Sequence, residues 1–472
     1  MNEFKTFFSI IILISGISIS NHNGWFQLKC FGQSIKHCLS FKKHDYIHHD
    51  SKGITPFQAL ATALGGSIGT ANIAGVAGAI IIGGPGAIFW MWVAAIVGMG
   101  VKYAEIVLAI KYRERSEDGY VGGAMLYIEK GLGKRKGLIK KLSKPLALIF
   151  AVFGIPSALM GTTLVQSNTI AQSTLDLLGN SSLKFNPLNA KLICGIVVAL
   201  LVGIVVLGGV RRIGKASEII VPFMAVAYII ISVIAMIKFR ANLPRAIARI
   251  FTNAFGLKQA AGGAVGYTVL RCLRTGIARG IYSNEAGIGS APMAHACAST
   301  KDPVEQGMYG IFEVFVDTIL ICSMTAFVLL SSGIEIPYGN ADVSGTLIML
   351  DAFSVAFPRM AVSIFLTVST ALFAYTSILG WSVYGLQCAK YLLGSRVERP
   401  YSIIYTIFCI IGAVSSVETV WTLGETFNFL MAVPNLIAVM LLLNEVVQET
   451  KGYSHGNQFS KGAKRGKIEA WK

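Results

Sequence analysis

Apolar runs of about twenty residues recur along this chain, and that is the length an α-helix needs to cross the hydrocarbon core of a bilayer. Eleven segments meet the test: 4–20, 57–82, 86–110, 145–168, 191–210, 216–238, 277–299, 308–333, 360–393, 401–417 and 424–446. A backbone amide in hydrocarbon has no water to bond, so only helices and closed barrels can span, and runs this long select helices. Only 14% of the 472 residues are charged, against roughly 25% in a soluble domain. The expected fold is an all-α polytopic membrane protein of about 11 spans. The first segment is short and carries a single lysine, so it reads either as a retained span or as the apolar part of a signal peptide. Retention is the better reading, because the polytopic remainder needs no cleaved signal.

The net charge of +17 would point to nucleic acid in a soluble protein. Its placement gives it another meaning. Lys111, Arg113, Arg115, Lys130, Lys134, Arg135, Lys136, Lys140, Lys141 and Lys144 all fall between the third and fourth segments, which makes that loop cytoplasmic. Alternation puts 21–55, 211–215, Lys301, Lys390, Arg396, Arg399 and the tail 447–472 on the same side. The exception is 238–258, where Lys238, Arg240, Arg245, Arg249 and Lys258 fall outside; that stretch reads as an amphipathic surface connection. Membrane lipid is therefore the expected partner, no nucleic acid is implied, and oligomeric state is left open. The eight cysteines include no C-x-x-C pair and lie mostly in apolar runs, so neither a disulfide framework nor a zinc knuckle is read. Cys30, His37, Cys38, His44, His48 and His49 match no closed tetrahedral spacing and read as a polar juxtamembrane loop.

The chain also repeats itself. Ile68-Gly69-Thr70-Ala71-Asn72-Ile73-Ala74 matches Ile288-Gly289-Ser290-Ala291-Pro292-Met293-Ala294 at an offset of 220 residues, and the segments that follow keep step. Five spans repeated as five spans turn the second copy upside down in the membrane. An inverted five-plus-five repeat, each copy opening with a glycine-interrupted helix, points to a secondary transporter with its site at the bilayer midplane. The expected organisation is an N-terminal helix and basic loop (1–55), a first five-helix repeat (56–240), an inverted second repeat (241–446) and a basic tail (447–472).

Gly65-Gly66-Ser67-Ile68-Gly69-Thr70-Ala71-Asn72 and Ser283-Asn284-Glu285-Ala286-Gly287-Ile288-Gly289-Ser290-Ala291-Pro292 are the two interruptions. One such run alone reads as small-residue helix packing. Two at repeat-related positions read as unwound backbone, which freed amides and carbonyls make a ligand for ions and for a carboxylate. Glu285 within a span is either functional or clamped by Arg279. Glu313 and Asp317 are four residues apart and share a helix face, which calls for a cation, a shared proton or a base such as Arg274. Gln166 and Asn168 are expected to face the bundle. Thr376 and Ser377 either line the site or bond back to the carbonyl one turn earlier. Glu105 reads as an interfacial partner of Lys102, and His295 as a packed polar residue. With no nucleophile–base pair the chain is not expected to be an enzyme. A channel would need a filter or rings of like charge and a sensor a soluble output domain, and neither element is visible.

Ala63 through Ala77, Gly83 through Trp92 and Ser283 through His295 resemble the alanine or glycine:cation symporters. Arg211-Arg212-Ile213 through Met224 and Ile378-Leu379-Gly380-Trp381-Ser382 support the resemblance. It implies the LeuT-type five-plus-five inverted repeat behind one extra N-terminal helix, in the plasma membrane, the inner membrane of a bacterium. It also implies Na⁺ (or H⁺) as coupling ion, no organic cofactor, and a small neutral amino acid such as alanine or glycine as substrate. Carried over by residue, Na⁺ would use carbonyls of Gly65, Ile68 and Phe373 and hydroxyls of Thr376 and Ser377. The substrate carboxylate would meet amides at Thr70, Ala71 and Asn72, and its ammonium carbonyls near Gly287 and Gly289. Gln166 would close one side and Trp381 would limit side-chain space. Ala71 stands where the family usually has glycine, and Ala124 and Leu126 replace a proline and a tyrosine.

Overall fold

The computed structural model describes residues 2–39, 53–116, 119–179, 186–256, 264–340 and 343–453. It is all-helical apart from one antiparallel pair, β1 (Glu114–Ser116) and β2 (Gly119–Val121). After α1 (Asn2–His22) and two short helices (Phe26–Lys29 and Phe31–Leu39) comes a helix in two halves, α2 (Pro56–Ser67) and α3 (Ala74–Gly83). Four long helices follow: α4 (Ala87–Tyr112), α5 (Leu138–Leu178), α6 (Pro187–Val206) and α7 (Gly209–Lys238). A surface helix, α8 (Leu243–Ala254), leads to a second divided helix, α9 (Ala264–Asn284) and α10 (Ala291–His295). Then come α11 (Pro303–Ser331), the short α12 (Gly345–Ser354), α13 (Arg359–Leu393), α14 (Glu398–Val414) and α15 (Val417–Leu441). Two half-helices followed by four long helices thus occur twice, with α12 as an extra piece in the second set.

Among the described residues seven helices are long and apolar enough to cross a membrane, or eight if the pair Thr426–Leu441 and Leu443–Tyr453, bent by 58°, counts as one span. The eleven apolar segments exceed this number for local reasons. Segments 57–82 and 277–299 are each divided by a break, 424–446 runs into the bend, and only the short helix Ile10–His22 represents 4–20 among the apolar helices. The second broken helix also begins earlier than its apolar segment, because α9 starts at Ala264.

Local chemistry explains the boundaries. Thr55 Oγ1 accepts from the Gln58 amide and Gln58 Oε1 from the Thr55 amide, both at 3.1 Å, so a reciprocal cap and Pro56 start α2. In α8 the buried residues are Ala246, Ile250 and Ala254, four apart, while Arg245 is exposed, as expected for an amphipathic connection; Lys258 lies outside the described residues. Leu192, Ile196, Leu200 and Ile204 of α6 stay exposed in a row that faces lipid. Glycine makes the close crossings: a Cβ at Gly276 would lie 2.2 Å from the Ala87 carbonyl oxygen, and one at Gly412 2.7 Å from the Leu164 Cα.

Three stretches widen into π-helix: Tyr127–Gly131, Ser157–Thr163 within α5 and Phe315–Cys322 within α11. Such turns are rare and gather at functional sites, because the extra residue turns side chains off the regular helical face. Ala124 and Leu126, the departures from the resembling pattern, are both buried in the turn that enters the first of them.

Candidate functional site

At the first break the chain leaves α2 at Ser67, runs extended through Ile68 and Gly69, makes a tight turn over Thr70–Asn72 and resumes as α3. The Gly69 amide donates to Asn72 Oδ1 at 2.9 Å, which closes the turn on itself. The Thr70 and Ala71 amides form no hydrogen bond with the described residues. At the second break Glu285 takes a left-handed backbone (φ 57°), unusual for a residue with a side chain, and Gly287 and Gly289 follow at φ 89° and 83°. Both Glu285 oxygens are held, Oε1 by Trp381 Nε1 at 2.8 Å and Oε2 by Ser290 Oγ at 2.6 Å. The clamp on Glu285 is therefore Trp381 and Ser290; Arg279 forms no ion pair among the described residues.

Two carboxylates of α11 join the breaks at two levels. Glu313 Oε1 accepts from Ser67 Oγ at 3.0 Å and Lys102 Nζ at 3.1 Å, and Oε2 lies 3.2 Å from His295 Nε2. Ser67 ends one inner half-helix and His295 ends the other, so one carboxylate ties both. The second ring nitrogen of His295 lies 2.8 Å from Gln306 Nε2. One turn outward, Asp317 accepts from Asn72 Nδ2 at 2.7 Å, Ser283 Oγ at 2.8 Å and Thr318 Oγ1 at 2.7 Å. Asn72 leads into α3 and Ser283 belongs to α9, so Asp317 ties the outer halves. The π-segment begins between the two acids, and they share neither a proton nor Arg274 as a partner. Lys102 does not sit at an interface with Glu105. Both are fully buried; Lys102 pairs with Glu313, and Glu105 accepts from Asn435 Nδ2 at 2.5 Å.

The residues expected around a cation do converge. A Cβ at Gly65 would lie 3.3 Å from the Thr376 carbonyl oxygen, and Ser377 Oγ donates to the Gly66 carbonyl at 2.8 Å. Thr376 Oγ1 lies 3.1 Å from the carbonyls of both Leu372 and Phe373, the local back-bond. Ile68 is buried at the same break. Gln166, just past the π-turn of α5, reaches the break as well: a Cβ on Gly69 would meet Ser377 Oγ at 2.9 Å and Gln166 Nε2 at 3.0 Å. Asn168 instead donates to the Gly412 and Ser415 carbonyls, at 3.1 and 2.7 Å, and pins α5 to the end of α14.

Other expected residues have different surroundings. The Gly287 carbonyl accepts from Asn435 Nδ2 at 3.0 Å, and a Cβ on Gly289 would meet Asn435 and Phe150 at 2.9 Å, so these glycines pack against α15 and α5. Trp381 spends its N–H on Glu285 and meets Tyr384 edge-on, with ring centroids 5.3 Å apart. Tyr384, which sequence reasoning passed over, presents its hydroxyl 2.5 Å from where a Gly66 Cβ would stand.

Thr70 Oγ1, Gln166 Oε1 and the Tyr384 hydroxyl are buried without a partner among the described residues. A buried polar atom left unbonded costs roughly 1–3 kcal/mol, and a site that binds a polar ligand recovers that cost when filled. Together with the two bare amides they are unsatisfied polar groups at and beside the first break. Residues 59–70 and 283–298 are all buried, whereas Ala71 of the turn and Ala74 and Gly75 of the outer half-helix are partly exposed.

The model of the sodium:alanine symporter family matches residues 2–468. The chain belongs to the sodium:alanine symporter family. It is 39% identical to the sodium/alanine symporter AgcS of Methanococcus maripaludis, over 94% of this chain and 93% of that one. It is 41% identical to an uncharacterised transporter of Haemophilus influenzae, over 94% and 92% of the two chains. Among solved structures, MhsT in complex with L-phenylalanine is similar at a TM-score of 0.49 and 12% identity, covering 85% of this chain and 92% of that one. As a member of this symporter family the chain is a multi-pass membrane protein that carries an amino acid with a cation, and it is not an enzyme. Within the symporter, the described residues contain no group of three or more His, Cys, Asp or Glu able to hold a metal ion; His44, His48 and His49 lie outside them.

Proposed function

We propose that this symporter imports alanine or glycine with Na⁺ across the plasma membrane by alternating access. The observation that carries the reading is the set of unsatisfied polar groups at the first break. Bare amides of Thr70 and Ala71 suit a carboxylate, and the unpartnered oxygens of Gln166 and Thr70 suit an ammonium group. Na⁺ would take the carbonyls of Gly65, Ile68 and Phe373 once the Thr376 and Ser377 hydroxyls turn away from the backbone oxygens they now bond. Tyr384, whose hydroxyl approaches Gly66, and Trp381 beside it would limit the space for a substrate side chain. One Na⁺ entering down an inside-negative potential of about 100 mV contributes about 2.3 kcal/mol, enough for roughly 50-fold accumulation before the concentration term. A proton as coupling ion is the second reading, favoured by four buried acids, Glu105, Glu285, Glu313 and Asp317, against one buried lysine, Lys102, among the described residues.

The test is uptake of labelled alanine and glycine into proteoliposomes under an imposed Na⁺ or H⁺ gradient. Accumulation that follows Na⁺ alone is expected, accumulation that follows H⁺ alone transfers the coupling to the proton, and dependence on neither ends the symport reading. Ala71 adds a second expectation. Its methyl lies on the partly exposed face of the break, beside the bare amides, and one methyl in a fitted pocket is worth about 1–3 kcal/mol of discrimination. Ala71→Gly should therefore tighten binding and widen tolerance from glycine toward larger side chains, read as competition by unlabelled amino acids; unchanged affinity and selectivity would remove Ala71 from the site.

A further inference from the structure

We propose that Arg113 is a positioning residue for transport: it latches the cytoplasmic end of the second broken helix against the entry to the first, and transport requires this latch to part. The inference rests on the alternating-access reading, and its residues are not those assigned to the substrate or the ion.

After α10 the chain runs on through Ala296 to Thr300 without continuing as a helix, so its carbonyls lack the partners a helix would give them. Arg113, the first residue past α4, fills that need. Its Nη1 donates to the Ala296 carbonyl at 3.0 Å and to the Ala298 carbonyl, and its Nη2 to the Thr300 carbonyl. A planar guanidinium with five donors can serve three oxygens spread along a strand, which an ammonium group cannot do with the same geometry. The hairpin supports it from behind. The Tyr120 ring of β2 lies 3.9 Å from the guanidinium carbon, and a Cβ at Gly122 would stand 2.4 Å from that of Ala296.

The same segment pairs with the residues that enter α2. The Ile54 amide donates to the Cys297 carbonyl at 3.1 Å and the Ser299 amide to the Ile54 carbonyl at 2.7 Å, an isolated parallel bridge centred on Ile54 and Ala298. A Cβ on Gly53 would stand 2.1 Å from Ser299 Oγ, so the two strands lie in direct contact. Gln387 of α13 adds a third brace, with Nε2 3.2 Å from Cys297 Sγ and 3.4 Å from the Tyr120 carbonyl. Chain pieces from both broken helices therefore close over the cytoplasmic side of the breaks. Everything from Ala59 to Thr70 and from Ser283 to Ala298 is buried behind them. A substrate leaving toward the cytoplasm has to pass between the two inner half-helices, and this bridge joins their cytoplasmic ends.

A reversible cross-link tests it on the full chain in proteoliposomes. Ile54→Cys and Ala298→Cys, with Cys297→Ser to remove a competing thiol, place two thiols on facing residues of the bridge. Oxidation is expected to lower Na⁺-driven uptake at least tenfold and reductant to restore it. Uptake that persists when the cross-link is complete shows that the bridge stays closed through the cycle and overturns the proposal. If the reduced protein and its parent both fail to respond to any ion gradient, the symport reading fails instead. Arg113→Gln provides a second readout. Labelling of Ala59→Cys by an impermeant thiol reagent applied from the cytoplasmic side should rise at least tenfold, or about 1.4 kcal/mol in the closed–open equilibrium, with Arg113→Lys in between. Equal labelling in parent and Arg113→Gln backgrounds counts against the latch.

Discussion

Lys102→Met is expected to abolish transport and to lower stability by about 3–5 kcal/mol, the cost of leaving one member of a buried ion pair without the other. Lys102 Nζ and Glu313 Oε1 are 3.1 Å apart and neither side chain touches solvent. Glu313 is also the shared acceptor of Ser67 and His295, so the lysine holds in place the group that ties both inner half-helices. The double variant Lys102→Met/Glu313→Leu separates the two roles. With both charges gone the interior no longer contains an uncompensated carboxylate, and most of the lost stability should return. Transport should not return, because Ser67 and His295 have lost their common partner. Thermal unfolding in detergent alongside uptake in proteoliposomes reads both quantities. Single and double variants of equal stability would mean that the pair is not coupled, and uptake recovered in the double variant would mean that Glu313 is not the joint.

The two breaks were legible because glycine, proline and polar residues inside apolar runs have no other economical reading in hydrocarbon, and their 220-residue spacing made coincidence a poor account. Glu285, Glu313 and Asp317 stood out for the same reason, as did the amphipathic pattern of α8. Their partners did not. Lys102 and Glu105 lie toward the C-terminal end of an apolar run, where a lysine ordinarily stretches to the surface. They are interior because α4 packs against α1, α9 and α11, and lateral burial leaves no mark on hydropathy. Trp381 with Glu285, and Asn435 with the Gly287 carbonyl, join residues 96 and 148 positions apart, pairings that no local pattern specifies. The π-turns were equally silent, since no residue preference announces them, yet one begins between Glu313 and Asp317, whose partners differ.

Gly69→Ala is expected to cut uptake by at least tenfold while leaving the fold intact, and the reason lies in the space around one methyl group. Gly69 sits at φ −135° and ψ −160°, an extended backbone open to any residue, so the substitution adds no conformational strain. What it adds is a carbon 2.9 Å from Ser377 Oγ and 3.0 Å from Gln166 Nε2. Ser377 can withdraw only by giving up its bond to the Gly66 carbonyl, and Gln166 only by leaving the break; each motion disturbs a group assigned to the ion or the substrate. Crowding of this kind costs roughly 1–3 kcal/mol in a packed interior, and here it falls on the bound state. Gly78→Ala is the matched control. It makes the same chemical change in the following half-helix, where a Cβ would meet nothing within 4 Å, and alanine favours a helix by about 1 kcal/mol. Uptake by Gly78→Ala should equal that of the parent, with stability unchanged or slightly raised. If both variants transport normally, the glycines of this segment serve helix packing alone and the break at Gly69 is not where the substrate binds. If Gly69→Ala alone fails, with its apparent KM for the amino acid or for Na⁺ raised, the unwound turn between α2 and α3 is part of the binding site.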